Sequence, residues 1–183
     1  CVDCGSALAE AEVEYQDKIS TSIDFIFPID NKKITEIFSC SSTNQSYVAS
    51  WTTTPWTLPG NVGLAVGPDV TYCRVKVTSK PSESWEGRGG AEVGEELILA
   101  KDLMPEVLRH HAEVIEEFPG SKLVGQAYEP LFPGAIDRGD SDTAWTVVAA
   151  DFVTTTDGTG IVHTAVMYGE DDYQSSSPYI TAV

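Results

Sequence analysis

Short β-patterned runs separated by turn-forming residues restrict the fold of this chain more than any other feature. The runs are rich in β-branched and aromatic residues, which fit a pleated sheet, and Gly, Pro, Asp, Asn and Ser lie between them. Many short strands with few helices predict a mainly β fold, either a barrel or a sandwich. The predicted strands are Ala11–Tyr15, Ser22–Phe27, Ser46–Trp51, Val62–Val66, Tyr72–Val77, Leu97–Ala100, Lys122–Ala127, Ala144–Phe152 and Gly160–Ala165.

One segment, from Asp102 to Phe118, has the pattern of a helix. Asp102 can cap its start, Pro105 fits the first turn, and Pro119-Gly120 can end it. Apolar residues recur near helical spacing at Leu103, Val107, Leu108, Val114, Ile115 and Phe118. The sequence therefore predicts a helix over this segment.

The length of 183 residues suits a single domain over positions 1–183. Residues 79–96 are rich in Gly, Ser and Glu, and this composition predicts a flexible hairpin insertion between two strands. No apolar run approaches the roughly 20 residues that a membrane-spanning helix needs. The first residue is Cys1 and not Met, which suggests a piece of a longer protein.

The net charge of −17 argues against a broad nucleic-acid-binding surface, because such surfaces depend on clustered Lys and Arg. Any contact with nucleic acid is expected at a small local site, with the main contacts elsewhere. Cys1 and Cys4 have the spacing of half a zinc knuckle, and no second pair follows. Zinc is therefore expected there only if residues outside this chain complete the site. Cys40 and Cys73 are expected to be free thiols in a reducing compartment, the cytoplasm.

The segment from Trp51 to Asn61 reads Trp-Thr-Thr-Thr-Pro-Trp-Thr-Leu-Pro-Gly-Asn. A strand built only for burial carries Val, Ile and Leu, whereas this one presents a run of hydroxyl groups and ends at Pro55. It is typical of the wall of a polar pocket. The alternative is a polar strand face, with Trp51 and Trp56 as core anchors.

A second polar cluster follows the turn sequence Asp157-Gly158-Thr159-Gly160. His163 lies on the next short strand, and Asp172 follows it across a glycine-containing bend. The bend allows His163 and Asp172 to face one space. Alternatively, His163 is a structural residue and the acidic run is solvated surface.

Together, Trp51–Asn61 and Gly158–Tyr173 resemble the editing domain of isoleucyl-tRNA synthetase, an insertion called connective polypeptide 1. The opening Cys-Val-Asp-Cys-Gly-Ser also looks like the entry into this insertion, so the resemblance covers essentially the whole chain. In one departure, Val166 stands where the family often has Pro. The resemblance implies a β-barrel editing domain with peripheral α-helices.

The resemblance also implies an activity, the hydrolysis of valine from mischarged Val-tRNA(Ile) by water. Such an editing site is needed because a hydrophobic pocket rejects a ligand that lacks one methylene by only about 1–3 kcal/mol. Catalytic roles would fall to Thr53, His163 as the size gate, and Asp172 as the partner of the α-ammonium. The implied substrate-binding residues are Thr52, Thr54, Trp56 and Asn61.

No cofactor is expected for editing, whereas ATP and Mg would serve the ligase reaction of the parent synthetase. The expected partners are the tRNA(Ile) 3′ end carrying valine and the remaining domains of the parent, with no membrane. The alternative function is a binding module for the aminoacyl or tRNA 3′ end that is inert without the rest of the synthetase.

Overall fold

The computed structural model describes residues 21–30, 34, 38, 44–79, 91–108, 111–135 and 144–165. Within these residues the chain is mainly β, in agreement with the predicted fold class. Short helical segments occur at Pro55–Gly60, Lys101–Leu103 and Gly120–Lys122, which are 3-10 helices, and at Met104–Val107, which is the α-helix α1. The strands are β1 (Ile23–Ile29), β2 (Ser46–Thr52), β3 (Gly63–Val66), β4 (Thr71–Val77), β5 (Glu96–Ala100), β6 (Ala112–Pro119), β7 (Thr146–Ala149) and β8 (Ile161–Thr164).

The described strands form one sheet in the order β6-β4-β5-β2-β8-β3-β7, and β1 pairs with β2. β1 is antiparallel to β2, and the register begins with Ile23 opposite Thr52 and ends with Ile29 opposite Ser46. β2 is also parallel to β5 near Ser46 and parallel to β8 at Trp51, which pairs with Val162. Since β1 occupies one edge of β2, strands β5 and β8 share its other edge, with β5 along the first half of β2 and β8 near its end.

Two isolated bridges curl the sheet toward a barrel. Ile29 at the end of β1 pairs with Tyr128, and the neighbouring Ala127 pairs with Thr146 of β7. The segment 127–128 therefore connects β1 to β7, the two ends of the path β1-β2-β8-β3-β7. A core of aliphatic and aromatic side chains packs against these strands, including Phe27, Val48, Leu64, Tyr72, Ile98, Tyr128, Val147 and Ile161.

Most of the predicted strands that fall on described residues are confirmed, with ends shifted by one or two residues. The segment Ala144–Phe152 forms a shorter strand, Thr146–Ala149, because Trp145 adopts a positive φ of 59° before it and a turn begins after Ala150. The predicted strand Lys122–Ala127 is wrong. Instead, a 3-10 helix and a turn with Gly125 at φ 83° occupy it. The predicted strand Ala11–Tyr15 lies outside the described residues.

The predicted helix from Asp102 to Phe118 is also wrong. The α-helix covers only Met104–Val107, where Pro105 fits the first turn as expected, and the chain then continues as β6. β6 pairs antiparallel with β4, which places Phe118 beside Tyr72 and buries it. Val114 and Ile115 remain 39% and 43% exposed. The apolar residues that suggested a single helix therefore belong to two different elements. Val114 and Ile115 are β-branched, and they follow the preference of such residues for a strand.

The strands on either side of the predicted insertion at 79–96, β4 and β5, are antiparallel neighbours. Residues 80–90 of that insertion lie outside the described residues, so its flexibility stays a prediction. Cys73 is buried as a free thiol, and burial raises its pKa to about 11. No helix in the described part of the chain is long and apolar enough to cross a membrane.

Candidate active site

A cavity of about 560 Å³ opens where β2 ends beside β8. One wall is formed by the end of β2 and the following 3-10 helix, and the other by β8 and the loop before it. Both polar segments singled out in the sequence therefore line one space. The lining residues are Trp51–Thr54, Trp56 and Thr57 on the first wall, and Phe152, Thr154, Asp157 and Thr159–His163 on the second.

The threonine run turns sharply after β2 and exposes its hydroxyl groups to the cavity to different extents. The Thr52 hydroxyl is buried, accepts a hydrogen bond from the Thr54 backbone N–H at 3.0 Å and lies 3.2 Å from the Thr54 hydroxyl. Thr53 is exposed and makes no hydrogen bond with the other described residues. Thr52 thus shapes the turn, while the Thr53 hydroxyl is available to a ligand or a water molecule.

Thr57 and His163 form a buried pair across the two walls. The Thr57 hydroxyl lies 2.9 Å from His163 Nε2 and 2.8 Å from the Thr54 carbonyl oxygen. A hydroxyl has one proton, and the Thr54 carbonyl can only accept. The Thr57 hydroxyl therefore donates to Thr54 and accepts from His163 Nε2–H. This arrangement places a proton on Nε2, so that the neutral imidazole has the Nε2–H tautomer.

His163 is only 7% exposed, and burial lowers its pKa from the usual value for histidine. Its Nδ1 atom is buried without a hydrogen-bond partner among the described residues, and its ring meets Phe25 edge-on at 6.0 Å. With Nε2 donating and Nδ1 shielded, neither nitrogen is placed to remove a proton from a ligand in this conformation. The geometry favours a rigid wall over a general base.

Asn61 does not line the cavity, and its polar groups are used within the protein. Its side-chain oxygen accepts from the Tyr128 hydroxyl at 2.6 Å, and its side-chain nitrogen donates to the Gly63 carbonyl at 3.0 Å. Its backbone carbonyl accepts from the Trp145 indole at 3.1 Å. Asn61 therefore connects the end of the 3-10 helix to the segment 127–128, and its substrate-binding role stays a prediction.

Two aromatic side chains are exposed at the cavity. Trp56 is 69% exposed and Phe152 is 40% exposed, one on each wall. Large apolar side chains at such exposure suit stacking on the bases of a single strand. Trp56 was predicted for this role from the sequence, whereas Phe152 was not.

The sequence reasoning also missed Thr57, Thr154 and Asp157 as lining residues. Thr57 follows the threonine run within the same polar segment, and Asp157 opens the turn sequence before β8, so each lay beside a recognised motif. Asp172 lies outside the described residues. Within the described ranges no three His, Cys, Asp or Glu side chains gather as metal ligands, and Cys1 and Cys4 lie outside those ranges.

Curated relatives are similar in sequence to this chain over nearly its whole length. The isoleucine–tRNA ligase of Clostridium novyi is 40% identical over 181 residues, which cover 98% of this chain and 15% of the ligase. That of Bordetella petrii is 38% identical over 96% of this chain and 18% of the ligase. The chain belongs to the family of isoleucyl-tRNA synthetase editing domains. It spans less than a fifth of the length of these relatives.

Solved structures agree with this editing-domain assignment at the level of the fold. The editing domain of the P. knowlesi cytosolic leucyl-tRNA synthetase superposes with a TM-score of 0.60 at 13% identity, over 83% of this chain and 59% of that one. A P. falciparum counterpart with two deleted insertions gives a TM-score of 0.64 at 10% identity, over 86% and 69% of the two chains. No protein-family profile matches the chain.

Proposed function

We propose that this editing domain hydrolyses the ester of valine mischarged onto tRNA(Ile). The observation that carries the proposal is the cavity between the threonine run and β8, in a chain of the isoleucyl-tRNA synthetase editing family. The ligase reaction of the parent synthetase, with its ATP and Mg, belongs to other parts of that protein. A cytoplasmic location follows from the same proposal.

The Thr57–His163 pair supplies the size gate. Both side chains are buried, they meet at 2.9 Å, and Phe25 supports the imidazole from behind. A wall held in this way cannot retreat without breaking the hydrogen bond or moving an aromatic neighbour. It would leave room for the valine side chain and exclude the additional methylene of isoleucine, which completes the double sieve.

The hydrolysis proceeds by attack of a water oxygen on the ester carbonyl carbon. The bond from that carbon to the ribose oxygen breaks, the ribose oxygen takes up one proton of the water to become a hydroxyl, and valine leaves as its carboxylate with release of the other proton to solvent. The Thr53 hydroxyl orients the water, while Thr52 and Thr54 hold the turn that presents Thr53 to the ester. Orientation and hydrogen bonding act on an ester that is already activated.

Asp172 is the proposed partner of the α-ammonium, and Trp56 the proposed stacking surface for the terminal adenosine. Asn61 acts in this proposal as a positioning residue. Its hydrogen bonds to Tyr128 and Gly63 support the end of the 3-10 helix that carries Trp56 and Thr57. Its contribution to substrate binding is therefore indirect.

The size gate is tested by the rates at which Val-tRNA(Ile) and Ile-tRNA(Ile) lose their amino acid. The unchanged protein is expected to release valine and spare isoleucine. In His163→Ala or Thr57→Ala, removal of the wall should make cognate Ile-tRNA(Ile) a substrate. If both variants spare isoleucine while still releasing valine, the pair is not the gate.

A second candidate function is a binding module that is inert without the rest of the synthetase. The net charge of −17 favours it, because contacts with the tRNA body would have to come from other domains. Deacylation by the 183-residue chain and by the full-length protein that contains it separates the two functions. Binding of a short acylated 3′-end analogue without hydrolysis by either protein would favour the second.

A further inference from the structure

The backbone of the second cavity wall is hydrogen-bonded to three different strands. The wall residues Thr159, Gly160 and Ile161 are all buried, and the carbonyl of each accepts a hydrogen bond from a different strand. The Thr159 carbonyl accepts from a backbone N–H of β5, whereas those of Gly160 and Ile161 accept from side-chain hydroxyls of β4 and β2. A substitution can remove a hydroxyl and leave the backbone intact, so these two bonds can be tested separately.

The hydroxyl of β4 belongs to Tyr72, which is fully buried. It accepts a hydrogen bond from the Gly67 N–H at 3.0 Å and donates to the Gly160 carbonyl at 2.7 Å. Its single proton is committed to Gly160, because the Gly67 N–H can only donate. Gly160 adopts a φ of 73°, and a Cβ atom there would overlap Cβ of Ala100, so only glycine allows the wall to lie this close to β5. Tyr72 therefore holds the turn that leads into β8.

The hydroxyl of β2 belongs to Ser50, which is also fully buried and donates to the Ile161 carbonyl at 2.8 Å. The Thr159 hydroxyl lies 3.4 Å from the same carbonyl, but Thr159 belongs to the same wall and cannot connect that wall to another strand. β8 pairs with β3 at four positions, whereas it pairs with β2 only through Trp51 and Val162. Ser50 therefore adds a side-chain hydrogen bond where the backbone pairing between the two walls is short.

This connection lies next to the proposed size gate. Thr57 follows β2 on the first wall, and His163 lies two residues after Ile161 on β8. The space between the walls therefore depends on where β8 lies relative to β2. Because valine and isoleucine differ by one methylene, a small displacement of β8 is enough to decide whether isoleucine fits.

We infer that Ser50 and Tyr72 are positioning residues for editing, whose hydroxyls hold the second cavity wall at the separation that admits valine and excludes isoleucine. The inference rests on the proposed function and deepens it. Neither residue lines the cavity, so each acts on the substrate through a wall carbonyl, Tyr72 through Gly160 and Ser50 through Ile161. Loss of either hydroxyl releases that carbonyl and lets the wall move away from the substrate side chain.

The test measures kcat/KM for the deacylation of Val-tRNA(Ile) and of Ile-tRNA(Ile) by the full-length protein that contains this chain. Ser50→Ala and Tyr72→Phe each remove one hydroxyl and keep most of the side-chain packing. In each variant the ratio of kcat/KM for the valyl ester to that for the isoleucyl ester should fall about tenfold, because the larger ester gains access. A loss of folded protein lowers both rates by the same factor and leaves this ratio unchanged.

Ser46→Ala is the matched control. Ser46 lies on β2 four residues before Ser50 and is equally buried, but its hydroxyl bonds to Glu96 at 3.3 Å and it does not line the cavity. Its removal should leave the ratio unchanged, whatever it does to stability. If Ser50→Ala or Tyr72→Phe keeps the ratio of the unchanged protein, the positioning role of that residue is overturned. An equal fall in Ser46→Ala also overturns the inference, since the effect would then be general to buried hydroxyls.

Failure of the proposed function has a different outcome. If the unchanged full-length protein releases neither amino acid from tRNA(Ile), the proposed function fails, and this inference fails with it. If the unchanged protein and both variants release valine and spare isoleucine alike, the proposed hydrolysis stands and only the positioning roles of Ser50 and Tyr72 are overturned.

Discussion

At the scale of single residues, His163 shows how burial can decide between two roles for one side chain. The Thr57 hydroxyl holds the imidazole through Nε2, and burial disfavours the charged ring and so lowers its pKa. A histidine in a cleft is often interpreted as a general base. Here the hydrogen bond and the shielded Nδ1 make the ring a fixed surface instead.

The lowered pKa of His163 predicts a dependence of stability on pH. The folded state binds the proton less tightly than the unfolded state, whose histidine has a pKa of about 6.5. Stability contributed by His163 is therefore complete above this value and is lost as pH falls toward the lower folded pKa. Urea unfolding at several pH values should show that the free energy of unfolding decreases more steeply with falling pH in the unchanged protein than in His163→Gln. Parallel curves would contradict the prediction.

Asn61 carries a prediction about stability as well. Asn61→Ala removes the acceptor of the buried Tyr128 hydroxyl and should lower the free energy of unfolding by about 1–3 kcal/mol. Tyr128→Phe removes the other partner of the same bond. A double-mutant cycle measured by urea unfolding should give a coupling energy between the two positions. Additive effects would show that the 2.6 Å hydrogen bond contributes nothing measurable.

At the scale of elements, strands β4, β5 and β6 are joined by a buried ion-pair cluster. Arg74 on β4 is 2% exposed and lies 3.2 Å from Glu96 of β5 and 2.6 Å from Glu116 of β6. Removing one partner of a buried pair leaves a charge without compensation, which costs more than the pair contributes. The cluster therefore makes the pairing of these three strands sensitive to a single side chain.

The matching prediction contrasts this cluster with an exposed pair nearby. Arg74→Ala should lower the free energy of unfolding by about 3–5 kcal/mol, because Glu96 remains buried. Lys101→Ala breaks the exposed pair with Glu117 and should change stability little, since solvent screens that pair. Thermal or urea unfolding of both variants provides the comparison. Equal losses of stability in Arg74→Ala and Lys101→Ala would contradict the prediction that the buried cluster contributes more than the exposed pair.

The elements also show what could be predicted from the sequence. The alternating and β-branched runs identified β1 to β5 and β8, because a half-buried strand leaves a local pattern. The helix predicted up to Phe118 was wrong because edge strand β6 takes its partner, β4, from a distant part of the chain. The polar motifs identified both cavity walls. Phe152 and Asp157 were missed because their role depends on which loop faces the threonine run, and tertiary packing decides that.

At the scale of the whole molecule, the charge of −17 bears on the proposed interaction with tRNA. Repulsion between two polyanions opposes binding, so the proposed function requires that contacts with the tRNA body come from other parts of a full-length synthetase. The 183-residue chain alone should bind uncharged tRNA at least about tenfold more weakly than the full-length protein at low salt. Fluorescence anisotropy with labelled tRNA measures both. Equal affinities would assign the tRNA-binding surface to this chain.

The parallel pairing of Trp51 with Val162 has a consequence for how the domain folds. The Ser50 hydroxyl and the Ile161 carbonyl beside that pair are separated by 111 positions along the chain. Closing a loop of this length costs entropy before any contact compensates for it, and such long-range pairings slow folding. During synthesis the threonine run leaves the ribosome long before its opposite wall exists. We therefore expect the cavity to be among the last features to form, so that a chain stopped before β8 has β2 but no site.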